Sequence, residues 1–248
     1  LSTLCRLRDI SLRPEGVFPK GGAFCGNLIT NWRNMKQHSL LDKLRRVLSI
    51  LLNLAVVYME PTAIRMSWEA VGDQTLTFYT ENSNIFSAGV CLLVAVCQVW
   101  ALISGRELPR WVKRLKFLAA CCLTMTFLTV VFVLAPYYPN EGGVRFLLTE
   151  SSMLYHHLLN PLCVFASFVF LEREPRLSAR NIPLALVPTA AYGAIALWAN
   201  YQRLWTGPYP FLLVYEQTTR QTVLWSVGIL LMNLFYAWLV WLAGGNRR

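Results

Sequence analysis

The chain contains six apolar stretches that are each long enough to cross a lipid bilayer. They lie near residues 45–63, 77–104, 115–136, 148–171, 181–201 and 222–243. At 1.5 Å per residue, a helix of about 20 apolar residues spans a hydrocarbon core of roughly 30 Å. The six stretches therefore predict an all-α, polytopic integral membrane protein whose six transmembrane helices form one bundle.

The amino-terminal segment differs in character from the rest of the chain. Residues 1–40 are basic, contain several turn-forming residues and show no sustained helical period, which indicates a loosely ordered arm. Residues 41–248 form the predicted transmembrane domain. The whole chain is 55% hydrophobic and only 15% charged, so its composition excludes an ordinary soluble domain.

The distribution of charged residues predicts the orientation of the helices. If both termini are cytoplasmic, 19 of the 23 Lys and Arg residues lie on the inner side, as the positive-inside rule favours. The predicted outer side carries the acidic residues Glu60, Glu69, Asp73, Glu81, Glu141, Glu150 and Glu216. A net charge of +10 does not indicate nucleic-acid binding here, because the basic residues lie in short clusters between apolar stretches.

Two adjacent histidines, His156 and His157, interrupt the fourth apolar stretch, and Asn160 and Pro161 follow them. Ionisable residues inside a span usually face the interior of the bundle or a water-filled cavity. Ser152, His156 and Asn160 are spaced by four residues and so share one helix face. This stretch is the leading functional hypothesis, and the alternative is that a histidine only forms a hydrogen bond between helices.

The second stretch opens with polar residues at the same predicted depth, and it includes Ser83. Thr80, Asn84 and Ser87 are spaced by four and three residues and share a helix face. A neutral imidazole can remove the proton of a hydroxyl as the hydroxyl attacks. Thr80 with His156 or His157 is therefore a candidate catalytic pair, with Asn84, Asn160 and Ser83 as candidates to orient the base or stabilise an oxyanion. The alternative is that Thr80 is a helix cap or an interhelical hydrogen-bonding residue.

The loop after the fifth stretch contains Trp205 and Tyr209, separated by Thr-Gly-Pro. This segment is either an aromatic belt at the membrane interface or a lid over the Thr–His cavity. A metal site is not expected, because the chain has only three histidines and His38 lies on the other predicted side. Phosphate-binding glycine loops are also absent from the sequence, so no cofactor is expected.

Four motifs in order resemble the androgen-induced-gene and androgen-dependent TFPI-regulating protein family of intramembrane threonine hydrolases, together with its bacterial six-helix relatives. The motifs are Phe78-Tyr79-Thr80, a His followed by Pro161, Trp205 to Leu212, and Leu231-Met232-Asn233 to Tyr236. The resemblance covers roughly residues 44–243. The chain departs from the animal members in its run from Glu81 to Asn84 and in its basic amino-terminal arm.

The resemblance implies a lipid-ester hydrolase in which Thr80 is the nucleophile and a histidine is the base. The spacing to Pro161 in the animal members selects His156, and the spacing in bacterial members selects His157. The stripe of Ser152 and Asn160 favours His156. The expected partner is a membrane lipid or acyl ester, reached from the outer-leaflet half of a bacterial plasma membrane. An acyltransferase, a lipid transporter or sensor, and a structural membrane subunit are the alternatives.

Overall fold

The computed structural model describes residues 22–172 and 176–244, and the side chains of residues 40–140, 142–172 and 176–244. The chain divides into two units, Leu1–Asp42 and Lys43–Arg248. The described residues contain helices and turns but no β-strand. The helices are α1 (Gly22–Val71), α2 (Tyr79–Ser104), α3 (Arg110–Tyr137), α4 (Val144–Thr149), α5 (Ser151–Leu171), α6 (Ala179–Tyr201) and α7 (Thr219–Ala243).

Six of these helices are long and apolar enough to cross a membrane, and α4 is the short exception. In α1 the spanning part begins at Leu40 and continues through a 3₁₀ turn at Gly72–Thr77. The prediction of an all-α protein with six transmembrane helices is therefore confirmed. Five of the six predicted spans agree with the structure to within a few residues at each end.

The first helix is the exception, because it extends beyond the predicted span at both ends. It begins at Gly22, so residues 22–40 of the predicted arm are helical, and residues 1–21 lie outside the described residues. No proline follows Pro19 until Pro61, so nothing in the intervening sequence stops the helix. Pro61 itself lies within α1 and does not end it, as transmembrane helices often allow.

Helix α3 is the central element of the unit Lys43–Arg248. In its most apolar stretch 61% of the residues are buried, against 22–39% for the other five spanning helices. It packs against α2, α5 and α7 through small side chains that include Ala119, Ala120 and Cys121. Large apolar side chains on the outside of the bundle, such as Ile103 and Phe132, are exposed, as expected where lipid is the solvent.

Local signals set the helix ends that matter for the site. Gly105 ends α2 in the left-handed conformation with φ of 70°, and its N–H donates to the carbonyl of Ala101. Thr218 and Gln221 form a reciprocal capping box at the start of α7. We name the two ends of the bundle after a buried residue near each. The Thr80 end is the end at which α2 begins, and the Lys116 end is the end at which α2 finishes.

Candidate active site

Thr80 is the second residue of α2, and its side chain is buried. The break between α1 and α2 falls inside the protein, where Tyr192 of α6 donates a hydrogen bond to the carbonyl of Thr77 at 2.7 Å. The hydroxyl of Tyr79 also pairs with Thr189 at 3.1 Å. Tyr192 lies nine residues before the end of α6, roughly 14 Å along its axis. Thr80 is therefore located within the depth of the transmembrane helices.

His157 is the histidine that faces Thr80. Its Nε2 lies 3.5 Å from Thr80 Oγ1, and both side chains are buried. Its Nδ1 lies 2.6 Å from the carbonyl oxygen of Leu147, and a carbonyl can only accept, so Nδ1 carries the proton. The Nε2 lone pair consequently points toward the Thr80 hydroxyl, as a general base requires.

The carbonyl that orients His157 is available because α4 ends close to it. Helix α4 stops at Thr149, Glu150 takes an extended conformation, and Ser151 has a positive φ of 48°. Carbonyls in the last turn of a helix have no intrahelical partner. The break between α4 and α5 thus supplies the acceptor that selects the tautomer of His157.

The two histidines lie within a wide turn of α5. Leu154–Leu159 form a π-helical turn, after which the N–H of Asn160 donates to the carbonyl five residues earlier. Pro161 has no N–H, so in this pattern the carbonyl of His156 lacks a helical partner. Asn84 Nδ2 donates to that carbonyl at 3.2 Å, which fixes the backbone beside both histidines.

Tyr209 is the third polar side chain at Thr80. Its hydroxyl lies 3.3 Å from the Thr80 N–H, which donates to it, and 3.4 Å from Thr80 Oγ1. The ring packs edge-on against Phe78 and stacks on Phe211. Burial raises the pKa of the Tyr209 phenol above its ordinary value, since the phenolate is disfavoured away from water. The phenol therefore stays neutral and retains a proton to donate.

The start of α2 adds further donors at this point. Thr80 lies in the first turn, where backbone N–H groups have no intrahelical acceptor. The helix dipole also favours negative charge there. Backbone donors of this kind, together with the Tyr209 hydroxyl, suit the stabilisation of an oxyanion that develops next to Thr80 Oγ1.

His156 points away from Thr80 and into a group of buried acidic residues. Its Nε2 is 3.4 Å from Glu60 Oε1, and its Nδ1 is 3.8 Å from Glu81 Oε1. Of the two histidines, His157 and not the favoured His156 is therefore the one that the structure places beside Thr80. Neighbouring residues on a helix point roughly 100° apart, so the two rings meet different groups.

We call Glu60, Ser67, Glu81, His156 and Asn160 the Glu60 cluster. Ser67 donates to Glu81 at 3.0 Å, and Asn160 donates to Glu60 at 2.8 Å. Four of its buried atoms have no hydrogen-bond partner among the described residues: Glu60 Oε1, Glu81 Oε2, His156 Nε2 and Asn160 Oδ1. The cluster therefore contains unused hydrogen-bonding capacity and two carboxylates around one imidazole.

Asn84 connects this cluster to Thr80. It donates to the carbonyl of Thr80 at 2.9 Å and to that of His156, and its Oδ1 accepts from Asn160 at 3.1 Å. The predicted supporting role of Asn84 is thus one of holding backbone in place, since its side chain does not reach the Thr80 hydroxyl in these contacts.

The other predicted supporting residues lie at different distances from the pair. Ser83 donates to the Thr80 carbonyl at 3.0 Å and pairs with Thr126 at 3.1 Å. Asn160 belongs to the Glu60 cluster, and Ser152 is half-buried with no contact described to Thr80. Trp205 packs in the apolar cluster around Phe211. Of the predicted loop residues, the structure brings only Tyr209 to Thr80.

An apolar cavity of about 250 Å³ adjoins Thr80. Its lining comes from α2, α3, α6, α7 and the Tyr209 loop and comprises Tyr79, Thr80, Met125, Thr126, Thr129, Val130, Leu134, Thr189, Ala190, Tyr192, Gly193, Ala194, Leu197, Tyr209, Phe211, Leu212, Ser226, Ile229 and Leu230. If the protein were only a structural subunit, no ligand-sized cavity would be expected between the second and fourth spans. The cavity in the structure lies instead between the second, third, fifth and sixth spans.

A second, polar recess of about 1,060 Å³ opens at the Thr80 end. It is lined by Asp73, Gln74, Thr77, Phe78, Asn200, Arg203, Leu204, Trp205, Thr206, Gly207, Pro208, Leu213, Tyr215 and Glu216. Phe78 borders the recess and packs on Tyr209, which borders the apolar cavity. The Phe78–Tyr209 ring pair therefore separates a polar space from an apolar one.

Glu60 and Glu81 are the residues that the sequence analysis missed. It counted both as markers of the outer side, whereas the structure buries both against His156. The available signal was their position: Glu60 follows Val56, Val57 and Met59 within an apolar stretch. An acidic residue at that depth needs a buried partner.

The fold and site define a polytopic α-helical membrane protein with a buried Thr–His pair beside an apolar cavity. Comparison of the chain with protein-family models, curated proteins and solved structures gave no match. The functional assignment consequently depends on the geometry of the site and on the sequence resemblance.

Proposed function

We propose that the protein is a membrane hydrolase of acyl esters, with Thr80 as nucleophile and His157 as general base. The observation that carries the proposal is the contact of 3.5 Å between Thr80 Oγ1 and His157 Nε2, with Nδ1 held by Leu147. This is the nucleophile, base and orienting acceptor that covalent catalysis requires. The distance is at the long end for a hydrogen bond, and such contacts commonly tighten when substrate binds.

The reaction proceeds in two halves. Thr80 Oγ1 attacks the ester carbonyl while its proton passes to His157 Nε2, and the tetrahedral intermediate collapses as the imidazolium gives that proton to the leaving alkoxide. The acyl group is then bound to Thr80. Water, deprotonated by His157, attacks the acyl-threonine and releases the carboxylic acid and the free hydroxyl of Thr80.

The neutral phenol of Tyr209 is the donor that stabilises the developing charge. Its hydroxyl lies 3.4 Å from Thr80 Oγ1, and because its oxygen accepts from the Thr80 N–H, its proton is free to point at the oxyanion. Oxyanion donors in a water-poor site typically contribute about 10²–10³ in rate each. Tyr209 is thus assigned to the active site as an oxyanion donor.

The two spaces on either side of the Phe78–Tyr209 pair suit the two parts of an ester substrate. The apolar cavity accommodates an acyl segment, since an apolar cavity of about 150 Å³ already admits benzene. The polar recess lies on the other side of the Phe78–Tyr209 pair and does not border Thr80, so water and a polar alcohol reach Thr80 from it when that ring pair parts. This division favours an amphiphilic lipid ester over a small polar ester.

The sequence resemblance supports the same reaction class, because the intramembrane threonine hydrolases that it names also pair a Thr with a His. The excess of basic residues at the other end of the bundle supports a position of the site in the outer-leaflet half. We extend the proposal accordingly to the plasma membrane of a bacterium. Acyl transfer is the nearest alternative chemistry, with an alcohol in place of water.

A non-enzymatic binding protein is the second candidate, and the Glu60 cluster is the observation that favours it. Four buried polar atoms without a hydrogen-bond partner in the described part of the chain suit a protein that takes up a ligand or proton there. In that case the contact between Thr80 and His157 only joins two helices.

Mass spectrometry of the purified protein after reaction with an alkyl fluorophosphonate separates the two candidates. We expect one adduct on Thr80 in the wild type, loss of the adduct in Thr80→Ala and in His157→Ala, and its retention in Thr80→Ser. His156→Ala is the matched control, because it removes the neighbouring imidazole without touching the pair. Labelling that persists in Thr80→Ala, or that requires His156 and not His157, would contradict the proposal.

A further inference from the structure

The apolar cavity beside Thr80 reaches the surface of the bundle between α6 and α7. Nine of its lining residues lie on these helices, and six of them form two groups at the opening: Ala190, Gly193 and Ala194 on α6, and Ser226, Ile229 and Leu230 on α7. Ala190 and Ala194 are exposed as well as lining the cavity. The cavity is therefore open to the outside at this position.

The surface around the opening is apolar and lies in the membrane-spanning part of both helices. Val187 and Ile195 flank it on α6, and Val227 and Leu231 flank it on α7; all four are at least half exposed. The opening is below the ends of both helices, since Gly193 precedes the end of α6 by eight residues and Ile229 follows the start of α7 by ten. At that depth the solvent is the hydrocarbon of the bilayer.

Contacts on both sides define the opening. Toward the Lys116 end, Asn233 of α7 donates to Thr189 at 2.6 Å and to the carbonyl of Ala185 at 3.1 Å, which holds the two helices together. Toward the Thr80 end, Phe211 packs against Trp225. Between these contacts Ala190, Gly193 and Ala194 of α6 line the cavity with small side chains, and a Cβ placed on Gly193 meets nothing within 4 Å.

We infer that this opening is a lateral entrance through which the acyl chain of a membrane lipid ester enters the cavity from the bilayer. A molecule that enters here must be apolar, because the cavity is apolar and the only opening described at this depth faces lipid. An extended acyl chain meets both conditions. Its ester end then meets Thr80 at the inner end of the cavity. The reaction at Thr80 rests on the proposed function, whereas the binding of the chain does not.

Photolabelling tests the binding without turnover. The probe is a methyl palmitate analogue with a diazirine at the end of the chain, added to the Thr80→Ala protein in phosphatidylcholine vesicles. We expect adducts within residues 190–194 and 226–230 that excess unlabelled methyl palmitate removes. The competition is essential, because exposed helix surfaces also react with a probe dissolved in the bilayer.

A matched pair of glycine variants tests the route. In Gly193→Leu the new side chain occupies the opening, and excluding about two methylenes of the probe lowers competed labelling about ten-fold. Gly228→Leu on α7 is the control, because a Cβ there also meets nothing within 4 Å and Gly228 does not line the cavity. We expect labelling in Gly228→Leu to stay at the level of the parent protein.

The outcomes distinguish this inference from the proposed function. No competed adducts, adducts outside the two ranges, or equal labelling of the two glycine variants would overturn the entrance. With Thr80 restored, we expect Gly193→Leu to lower the ratio of long-chain to short-chain ester hydrolysis and Gly228→Leu to leave it unchanged. If labelling depends on Gly193 but no ester hydrolysis is detected, the lateral entrance is supported and the proposed hydrolase function is rejected.

Discussion

The bundle contains two buried polar clusters, and they differ in how completely their groups are paired. At the Lys116 end, Lys116 Nζ donates to Asn53 Oδ1 at 2.5 Å and lies 3.6 Å from Glu172 Oε1. Ser49 and Asn53 also donate to Glu172, at 3.0 and 3.1 Å. We call Ser49, Asn53, Cys91, Lys116 and Glu172 the Lys116 cluster; it balances one positive against one negative charge.

The Glu60 cluster has the opposite character. Two carboxylates, Glu60 and Glu81, surround the single imidazole of His156. Four of its buried polar atoms lack a hydrogen-bond partner among the described residues, and two of these, Glu60 Oε1 and His156 Nε2, face each other at 3.4 Å. None of the described atoms without a hydrogen-bond partner belongs to the Lys116 cluster. Saturated buried networks rigidify a fold, and unsaturated ones are typical of functional sites. We therefore expect the Lys116 cluster to contribute more to stability than the Glu60 cluster.

The largest expected effect is at Lys116. Lys116→Met leaves Glu172 buried without its charged partner, so we expect the free energy of unfolding to fall by about 3–5 kcal/mol. The measurement is reversible unfolding in mixed micelles. Lys116→Met combined with Glu172→Gln removes both charges and should recover most of the loss. A single variant as stable as the wild type would show that the Lys116 cluster is not the stabilising one.

A smaller effect, on rate alone, is expected at Tyr209. Tyr209→Phe removes an oxyanion donor next to Thr80, so ester hydrolysis should fall about 100-fold, equivalent to about 2.7 kcal/mol, with the thermal midpoint little changed. Burial raises the pKa of the Tyr209 phenol, and an exposed phenol ionises near pH 10. We therefore expect the alkaline side of the pH–rate profile to be the same in wild type and Tyr209→Phe. A profile altered above pH 9 by the substitution would contradict the neutral-donor role.

A third test replaces one acidic residue of the unsaturated cluster. Glu81→Gln is nearly isosteric and removes one of two like charges around His156, so its stability should change by no more than about 1 kcal/mol. The measurement is the same unfolding experiment used for Lys116→Met. A loss as large as that of Lys116→Met would remove the distinction between the two clusters.

The smallest expected effect is at Cys91. Its Sγ lies 3.5 Å from Lys116 Nζ and is a weak acceptor. Cys91→Ser keeps an acceptor of similar size, so we expect the free energy of unfolding to change by about 0.5 kcal/mol or less in either direction. A change above 2 kcal/mol would show that the sulfur is an essential partner of Lys116.

The sequence predicted the helices better than it predicted which residues meet. Six apolar stretches suffice to establish six spans, because length and hydropathy are local properties. The stripe of Ser152, His156 and Asn160 assumed 3.6 residues per turn. Two of its members, His156 and Asn160, do share a face and meet Glu60, but that face is not the one that contacts Thr80, where His157 lies.

The same limit applies to the acidic residues and to the first helix. The negative charges of Glu60 and Glu81 were taken to mark the outer side of the membrane. Their burial depends on contacts with His156 of α5, which the sequence around each glutamate does not reveal. Pro61 was expected to lie near the end of a span, yet α1 continues to Val71. Whether a proline ends a helix in lipid depends on the neighbouring helices that satisfy the freed carbonyl.

The pairing of Lys116 with Glu172 also has a consequence for biosynthesis. The two residues are separated by 55 intervening positions, and Glu172 follows the last residue of α5. When α3 leaves the ribosome, its ammonium group has no carboxylate to meet, and a long Lys side chain can keep its charge at the aqueous boundary. We therefore expect helix α3 to reach its final depth only after α5 has entered the membrane, so that the centre of the bundle is one of the later parts to assemble.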